Sequence, residues 1–164
     1  MELGLLLALL GAAIAATISG LGASWGVSIP GRAANGLLSE EPEKFGNCLI
    51  LVALPGTQGI YGFISGVIML ITLGAFGGGA EGLKHPTILQ GLAFLGVGIF
   101  QATVQWVSSI YQGKVCAAGI AIVAKHPEDS MKGVVNGVIV ETYAVLGLLI
   151  TLLLILFGIA PTLK

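Results

Sequence analysis

The last apolar stretch of the chain, residues 133–163, decides the fold class: GVVNGVIVETYAVLGLLITLLLILFGIAPTL. It holds 31 residues, and its one charged residue is Glu141. A helix of about 20 apolar residues is long enough to cross the hydrocarbon core of a bilayer. Because a carboxylate at that depth is costly, we predict that other groups pair with Glu141 and that it has a function.

Three uncharged segments of similar length precede this stretch, at residues 3–31, 45–80 and 85–113. Hydrophobic residues make up 55% of the chain and charged residues 9%, which is typical of an integral membrane protein. We therefore predict an all-α membrane protein, with one membrane domain over residues 1–164. Its four transmembrane helices are expected at about residues 3–29, 47–76, 87–123 and 133–160.

The charged residues indicate how the chain sits in the membrane. Glu2 stands where a secretory leader carries Lys or Arg, so the first segment is predicted to be a retained helix. The net charge of −1 argues against a nucleic-acid partner. Most of the basic residues lie in or near the connections between the first and second and between the third and fourth segments. This predicts that these two connections are cytoplasmic and that both termini lie outside. The basic residues on that side are Arg32, Lys44, Lys114, Lys125 and Lys132, against Lys84 and Lys164 on the other.

The chain repeats itself at an offset of 85 residues, which aligns Pro42-Glu43 with Pro127-Glu128. In the same register Thr57 falls on Thr142, and Gly56 falls on Glu141. We therefore predict two fused helical hairpins in parallel repeat, residues 1–80 and 81–164, of which the second alone retains the acid.

Small residues dominate the first apolar segment at helical spacing. In lipid, close approach of helices depends on such residues. They predict tight packing on more than one side, as in the inner wall of a ring, with ordinary packing inside a four-helix monomer as the alternative. The residues are Gly20, Gly22, Ser24, Gly26 and Ser28.

The second segment carries polar groups next to a helix breaker. Pro55 lacks a backbone donor and its ring clashes with the preceding turn, so a carbonyl near Leu54 is expected to leave the helical ladder. Thr57 and Gln58 add a hydroxyl and an amide oxygen, and Tyr61 lies one turn beyond Thr57.

The third segment adds Gln112, which the repeat aligns with Val27. A single carboxylate among several neutral oxygens suits a hard monovalent cation, and the surplus of oxygens favours Na+ over H+. The alternative is that these Thr and Gln side chains only join helices. We assign the remaining amides to structural or interfacial roles: Asn47, Gln90, Gln101, Gln105 and Asn136. No catalytic constellation is apparent in the sequence.

Four motifs together resemble the membrane-rotor proteolipid (subunit K) of V-type ATPases, and most closely the bacterial sodium-translocating kind. They are PEKFG at 42–46, LPGTQGIYG at 54–62, YQGKV at 111–115 and VETYA at 140–144. The resemblance implies that Glu141 carries the ion and that Tyr61 orients its carboxylate. The other implied ligands of Na+ are the side-chain oxygens of Thr57, Gln58 and Gln112 and the backbone carbonyl of Leu54.

The resemblance also implies an assembly in the plasma membrane. Identical copies would form a ring surrounded by lipid, which turns against a stator subunit with a basic residue facing Glu141. The cytoplasmic loops would hold the central stalk, and ATP would be hydrolysed elsewhere in the complex, with no organic cofactor in this chain.

Three other interpretations stay open at this point. The same kind of ring could carry H+ instead of Na+. The chain could also be a small secondary transporter built from parallel repeats. Finally, it could be a structural membrane protein in which Glu141 is merely tied to a neighbouring Gln.

Overall fold

The predicted four long helices are confirmed by a computed structural model, which describes residues 2–76 and 82–163. The helices are α1 (Leu3–Leu38), α2 (Pro42–Thr72), α3 (Ile88–Lys125) and α4 (Pro127–Thr162), and each is long and apolar enough to cross a membrane. The predicted boundary between the two hairpins, at residues 80 and 81, falls outside the described residues, as does Lys164.

The helices on the side of the first and third connections extend further than expected. The prediction ended the first helix at residue 29, before Pro30, whereas α1 continues through this buried proline to Leu38. A proline removes one backbone N–H donor, and here the helix continues on both sides of the missing hydrogen bond. The connections on this side therefore shrink to residues 39–41 and residue 126.

Prolines begin both α2 and α4. Pro42 and Pro127 each open a short 3₁₀ turn that leads directly into the helix. Proline is suited to a first turn, where its missing N–H would have no partner anyway. For this reason α2 and α4 begin five or six residues before the predicted starts at 47 and 133. At its other end α2 stops at Thr72, and residues 73–76 form a turn.

Helices α1 and α3 lie against each other along their length through glycines. The backbones are so close that a Cβ on either member of a pair would overlap backbone atoms of the opposite helix or, for Gly4, of the two residues just before α3. The pairs are Gly4 with Gly91, Gly11 with Gly98, and Gly26 with Gly113. Of the small residues singled out in α1, Gly22 and Gly26 are buried in this contact, whereas Gly20, Ser24 and Ser28 are exposed on the protomer.

The interior of the bundle is apolar at both ends and polar in the middle. One apolar cluster includes Met69, Phe94 and Ile155, and the other includes Leu51, Ile120 and Val123. Between them lies a layer of fully buried polar side chains, which includes Gln58, Gln101, Gln105, Ser109, Gln112 and Thr151. The buried polar side chains thus lie together between the two apolar clusters.

Candidate ion-binding site

Glu141 lies near the middle of α4, fourteen residues after Pro127, and its side chain is partly buried. At about 1.5 Å per residue, this places it roughly 21 Å from the start of the helix. Both carboxylate oxygens have donors from other helices. Oε1 accepts from the Tyr61 hydroxyl at 2.6 Å and from the Thr57 hydroxyl at 2.7 Å, and Oε2 accepts from Nε2 of Gln112 at 3.3 Å.

The kink in α2 gathers further oxygens around Thr57. Residues Leu54–Gly56 form a 3₁₀ turn between two α-helical pieces, as expected for a helix interrupted by Pro55. In this turn the carbonyl oxygen of Leu54 lies 2.9 Å from Oγ1 of Thr57 and accepts the Thr57 backbone N–H. Oε1 of Gln58 is 3.4 Å from the same hydroxyl oxygen.

The hydroxyl of Thr57 therefore has three oxygen neighbours but only one proton to donate. A proton shared with Glu141 leaves the lone pairs of Leu54 O and Gln58 Oε1 facing the same small volume. Such a concentration of oxygens around one negative charge is the chemistry of a cation site. A group that only stored a proton would need a single hydrogen-bond partner.

Two fully buried glutamines complete the arrangement. Nε2 of Gln58 donates to Oε1 of Gln112, and Nε2 of Gln112 donates to the backbone carbonyl of Gly137 at 3.1 Å as well as to Glu141. These bonds use the amide nitrogens and leave Oε1 of Gln58 directed toward Thr57. The geometry thus brings together all six predicted site residues: Leu54, Thr57, Gln58, Tyr61, Gln112 and Glu141. Their role as ion ligands stays a prediction.

The kinds of side chain in this cluster differ from those of a transition-metal centre. Within residues 2–76 and 82–163, no three His, Cys, Asp or Glu side chains come together as a metal-binding group. His85 and His126 form exposed pairs with Glu2 and Glu128. One carboxylate with neutral hydroxyl, amide and carbonyl oxygens instead matches a hard cation of low charge.

Sequence reasoning missed two groups that support the site. Oγ of Ser109 donates to the backbone carbonyl of Pro55 at 2.6 Å, which holds the kink of α2 against α3. The carbonyl of Gly137 orients Gln112. A signal for the first was present, because Ser109 lies three residues before Gln112 and on the same face of the helix. A backbone carbonyl such as that of Gly137 leaves no signal in side-chain chemistry.

Four of the five amides assigned to structural or interfacial roles make hydrogen bonds to another element: Asn47, Gln90, Gln101 and Gln105. Asn47 donates to the Pro127 carbonyl and to Ser130, which ties the two hairpin turns together. Gln90 caps α3 through Thr87, and Asn136 is exposed. Gln101 and Gln105 are fully buried and bond to neighbouring helices.

Comparisons with known proteins agree with this architecture. The profile of the ATP synthase C-subunit family matches residues 10–69 and 95–154, with both starts and ends 85 residues apart. V-type sodium ATPase subunit K of Enterococcus hirae is 45% identical over 153 residues, covering 93% of this chain and 92% of that protein. A-type ATP synthase subunit K of Methanocaldococcus jannaschii is 36% identical over 154 residues, covering 92% of this chain and 62% of that protein.

A more distant relative is the 16 kDa proteolipid of the V-type proton ATPase of Nephrops norvegicus, which is 25% identical over 145 residues. The alignment covers 88% of this chain and 87% of that protein. The double profile match confirms the predicted repeat, and the relatives confirm the resemblance to V-type rotor proteolipids. The chain therefore belongs to the ATP synthase C-subunit family, as a proteolipid that contains the family's helical hairpin twice.

Proposed function

We propose that this chain is the rotor-ring subunit of a rotary V-type ATPase and carries Na+ across the membrane on Glu141. The observation that carries the proposal is the cluster of oxygens around the carboxylate, where the Thr57 hydroxyl has three oxygen neighbours within 3.4 Å. The similarity to a subunit named for a sodium ATPase supports the same ion. The chain itself does no catalytic chemistry, since its relatives are the ion-carrying subunits of such complexes.

The proposed ligands of Na+ come from three helices of one protomer. Thr57, Gln58 and the Leu54 carbonyl belong to α2, Gln112 belongs to α3 and Glu141 belongs to α4. Bound Na+ would replace the repulsion among the oxygens around Thr57 with attraction to a single cation. Gln112, whose Oε1 accepts from Gln58 and whose Nε2 donates to Glu141, would turn its amide to become a ligand. Tyr61 donates to the carboxylate and holds it toward the other ligands.

Neutralisation of Glu141 explains how the ring can turn. An ionised carboxylate that faces hydrocarbon costs several kcal/mol, at least about 2.5 on insertion scales. With Na+ bound, the site carries no net charge and can pass through lipid. After Na+ leaves, Glu141 requires a basic group opposite it, which we assign to the stator subunit. Rotation driven by ATP hydrolysis elsewhere in the complex then moves each Na+ from its entry path to its exit path.

The position of Glu141 on the protomer fits this exchange. It lies in a shallow groove on the outer side of α4, together with Val138, Thr142, Val145 and Leu146. Such a surface can meet lipid when the site is neutral and a stator when it is charged. The glycine-lined helices α1 and α3 would then form the inner wall of the ring of identical copies.

The distribution of basic residues supports an orientation in the membrane. We propose that the short connections at 39–41 and 126 lie in the cytoplasm of the cell and contact the central stalk, with both termini outside. Lys44 joins these turns by donating to the Ala124 carbonyl at 2.7 Å and pairing with Glu41. The two hairpins would thus present one rigid surface to the stalk.

Carbodiimide labelling of Glu141 in the purified protein tests the proposal. Carbodiimides react with a protonated carboxyl in an apolar site, so bound Na+ should protect Glu141. We expect labelling that Na+ slows and that K+ at the same ionic strength does not slow, with the Glu141→Gln variant as the unlabelled control. Labelling that is insensitive to Na+ would assign H+ as the transported ion. No labelling at any pH would favour a structural role.

A further inference from the structure

A second group of polar contacts lies beside the candidate site and centres on Gln101 of α3. The Gln101 side chain is fully buried, and its Nε2 donates to the backbone carbonyl of Tyr61 on α2 at 3.2 Å. Its Oε1 accepts from the hydroxyl of Thr151 on α4 at 3.0 Å, and Thr151 is also fully buried. One amide therefore joins three helices inside the bundle.

The Tyr61 carbonyl, which can only accept, fixes which way the amide of Gln101 points. With Oε1 held by the Thr151 hydroxyl, Nε2 faces the Tyr61 carbonyl. The opposite orientation would place two oxygens against each other without a proton between them, in a region without water. A buried polar group that loses its partner is costly, so the observed orientation is strongly preferred.

The same carbonyl is held a second time. Oγ of Ser65, one turn further along α2, donates to the Tyr61 carbonyl at 2.9 Å. Tyr61 is also the residue whose hydroxyl donates to Glu141 at 2.6 Å. The backbone carbonyl of Tyr61 is thus held by two side chains, while the hydroxyl of the same residue bonds to the carboxylate of Glu141.

These contacts close a loop through the protein. From Glu141 the chain of α4 runs ten residues, roughly 15 Å, to Thr151. Hydrogen bonds then lead through Gln101 to the Tyr61 backbone, and the Tyr61 hydroxyl returns to Glu141. A shift of α2 along its axis relative to α4 would therefore strain these bonds.

We propose that Gln101 is a positioning residue for the ion site, which it serves by holding Tyr61 where its hydroxyl meets Glu141. This inference rests on the proposed function. A site whose groups are held in place before the ion arrives loses less free energy on binding than one that must order them. Gln101 therefore raises the affinity for Na+ without touching the ion.

The chain offers a matched control on the same helix. Gln105 lies one turn from Gln101, is equally buried, and also donates to a backbone carbonyl, that of Ala144 on α4 at 2.9 Å. Its amide nitrogen contacts α4 and not Tyr61. Replacement of either glutamine by Met removes the amide and roughly preserves the volume. Gln101→Met leaves two former partners unpaired, whereas Gln105→Met leaves one and also removes an amide oxygen without a partner among the described residues, so the double substitution below separates positioning from a general loss of stability.

The experiment measures the Na+ concentration that gives half-maximal protection of Glu141 from carbodiimide, in the purified protein. We expect Gln101→Met to raise this concentration about tenfold, the lower end of the range seen when a group that orients an ion ligand is lost. Gln105→Met should change it less than about twofold, within the range of a substitution that leaves the site intact. Thr151→Val, which keeps the side-chain shape, should raise it in the same direction by a smaller factor.

A double substitution distinguishes positioning from general stability. In the Tyr61→Phe background the hydroxyl is absent, so adding Gln101→Met should have little further effect on Na+ protection. Equal effects of Gln101→Met with and without the hydroxyl would overturn the inference, as would unchanged protection in Gln101→Met. If Gln101→Met fails to fold, unchanged protection in Thr151→Val overturns it instead. Absence of Na+ protection in the unmodified protein would overturn the proposed function itself.

Discussion

The hydroxyl of Tyr61 donates to Oε1 of Glu141 at 2.6 Å, although the two residues lie 80 positions apart and on different hairpins. The first hairpin supplies Leu54, Thr57, Gln58 and Tyr61, and the second supplies Gln112 and Glu141. The duplicated chain therefore builds one site from two unequal halves. Gly56, at the position equivalent to Glu141, belongs to the 3₁₀ turn that brings the Leu54 carbonyl to Thr57.

Gln112 should be required for tight binding of Na+. We expect Gln112→Leu to weaken Na+ affinity by one to two powers of ten, because loss of a hydrogen bond to a charged group costs about 1.5–3 kcal/mol. The substitution removes both the amide that contacts Glu141 and the acceptor of Gln58. Isothermal titration of the purified protein with Na+ measures the effect. Unchanged affinity would remove Gln112 from the ligand set.

Thr57 and its repeat equivalent Thr142 provide a matched pair. Thr57→Val removes the hydroxyl that lies among three oxygens, so Na+ affinity should fall about tenfold or more. Thr142 is exposed, and its hydroxyl bonds to the Ile139 carbonyl within α4. The Thr142→Val variant should therefore have the same Na+ affinity as the unmodified protein. Similar losses in both variants would contradict the assignment of Thr57 as a ligand.

The kink at Pro55 should matter for ion binding more than for folding. In Pro55→Ala the residue regains a backbone donor, so α2 can continue as a regular helix and draw the Leu54 carbonyl away from Thr57. We expect weaker Na+ binding with the helix content retained, measured by titration and circular dichroism. Pro30→Ala is the control, since α1 donates none of the hydrogen bonds to Glu141. Binding that is unaffected by Pro55→Ala would show that the kink is not needed.

The contact between α1 and α3 should be sensitive to a single methyl group. A Cβ at Gly98 would overlap the backbone carbonyl of Gly11, whereas a Cβ at Gly96 would meet nothing within 4 Å. We therefore expect Gly98→Ala to destabilise the protein by about 1–3 kcal/mol, the usual cost of overpacking, and Gly96→Ala to have little effect. Thermal unfolding in detergent compares the two. Equal stability of both variants would contradict this packing.

Hydropathy and charge were sufficient to predict the four helices, because every span is long and almost free of charge. Their ends were harder, since Pro30 signals a helix end in sequence and yet lies inside α1. The site residues could be predicted because they carry oxygen atoms in otherwise apolar segments. The internal repeat singled out Glu141 and Gln112, and the helix breaker Pro55 singled out the residues next to it. The supporting bond from Gln101 to the Tyr61 carbonyl could not be predicted, because it depends on the axial register between α2 and α3.

Sodium binding to the purified protein at equilibrium, measured with radioactive Na+, tests the central claim most directly. Glu141 is the one acidic residue in the apolar stretch 133–163, so the unmodified protein should bind one Na+ per chain. Glu141→Gln removes the charge while keeping the shape of the side chain, and it should abolish tight binding. Unchanged Na+ binding in Glu141→Gln, or no specific binding in the unmodified protein, would contradict Glu141 as the carrier of Na+.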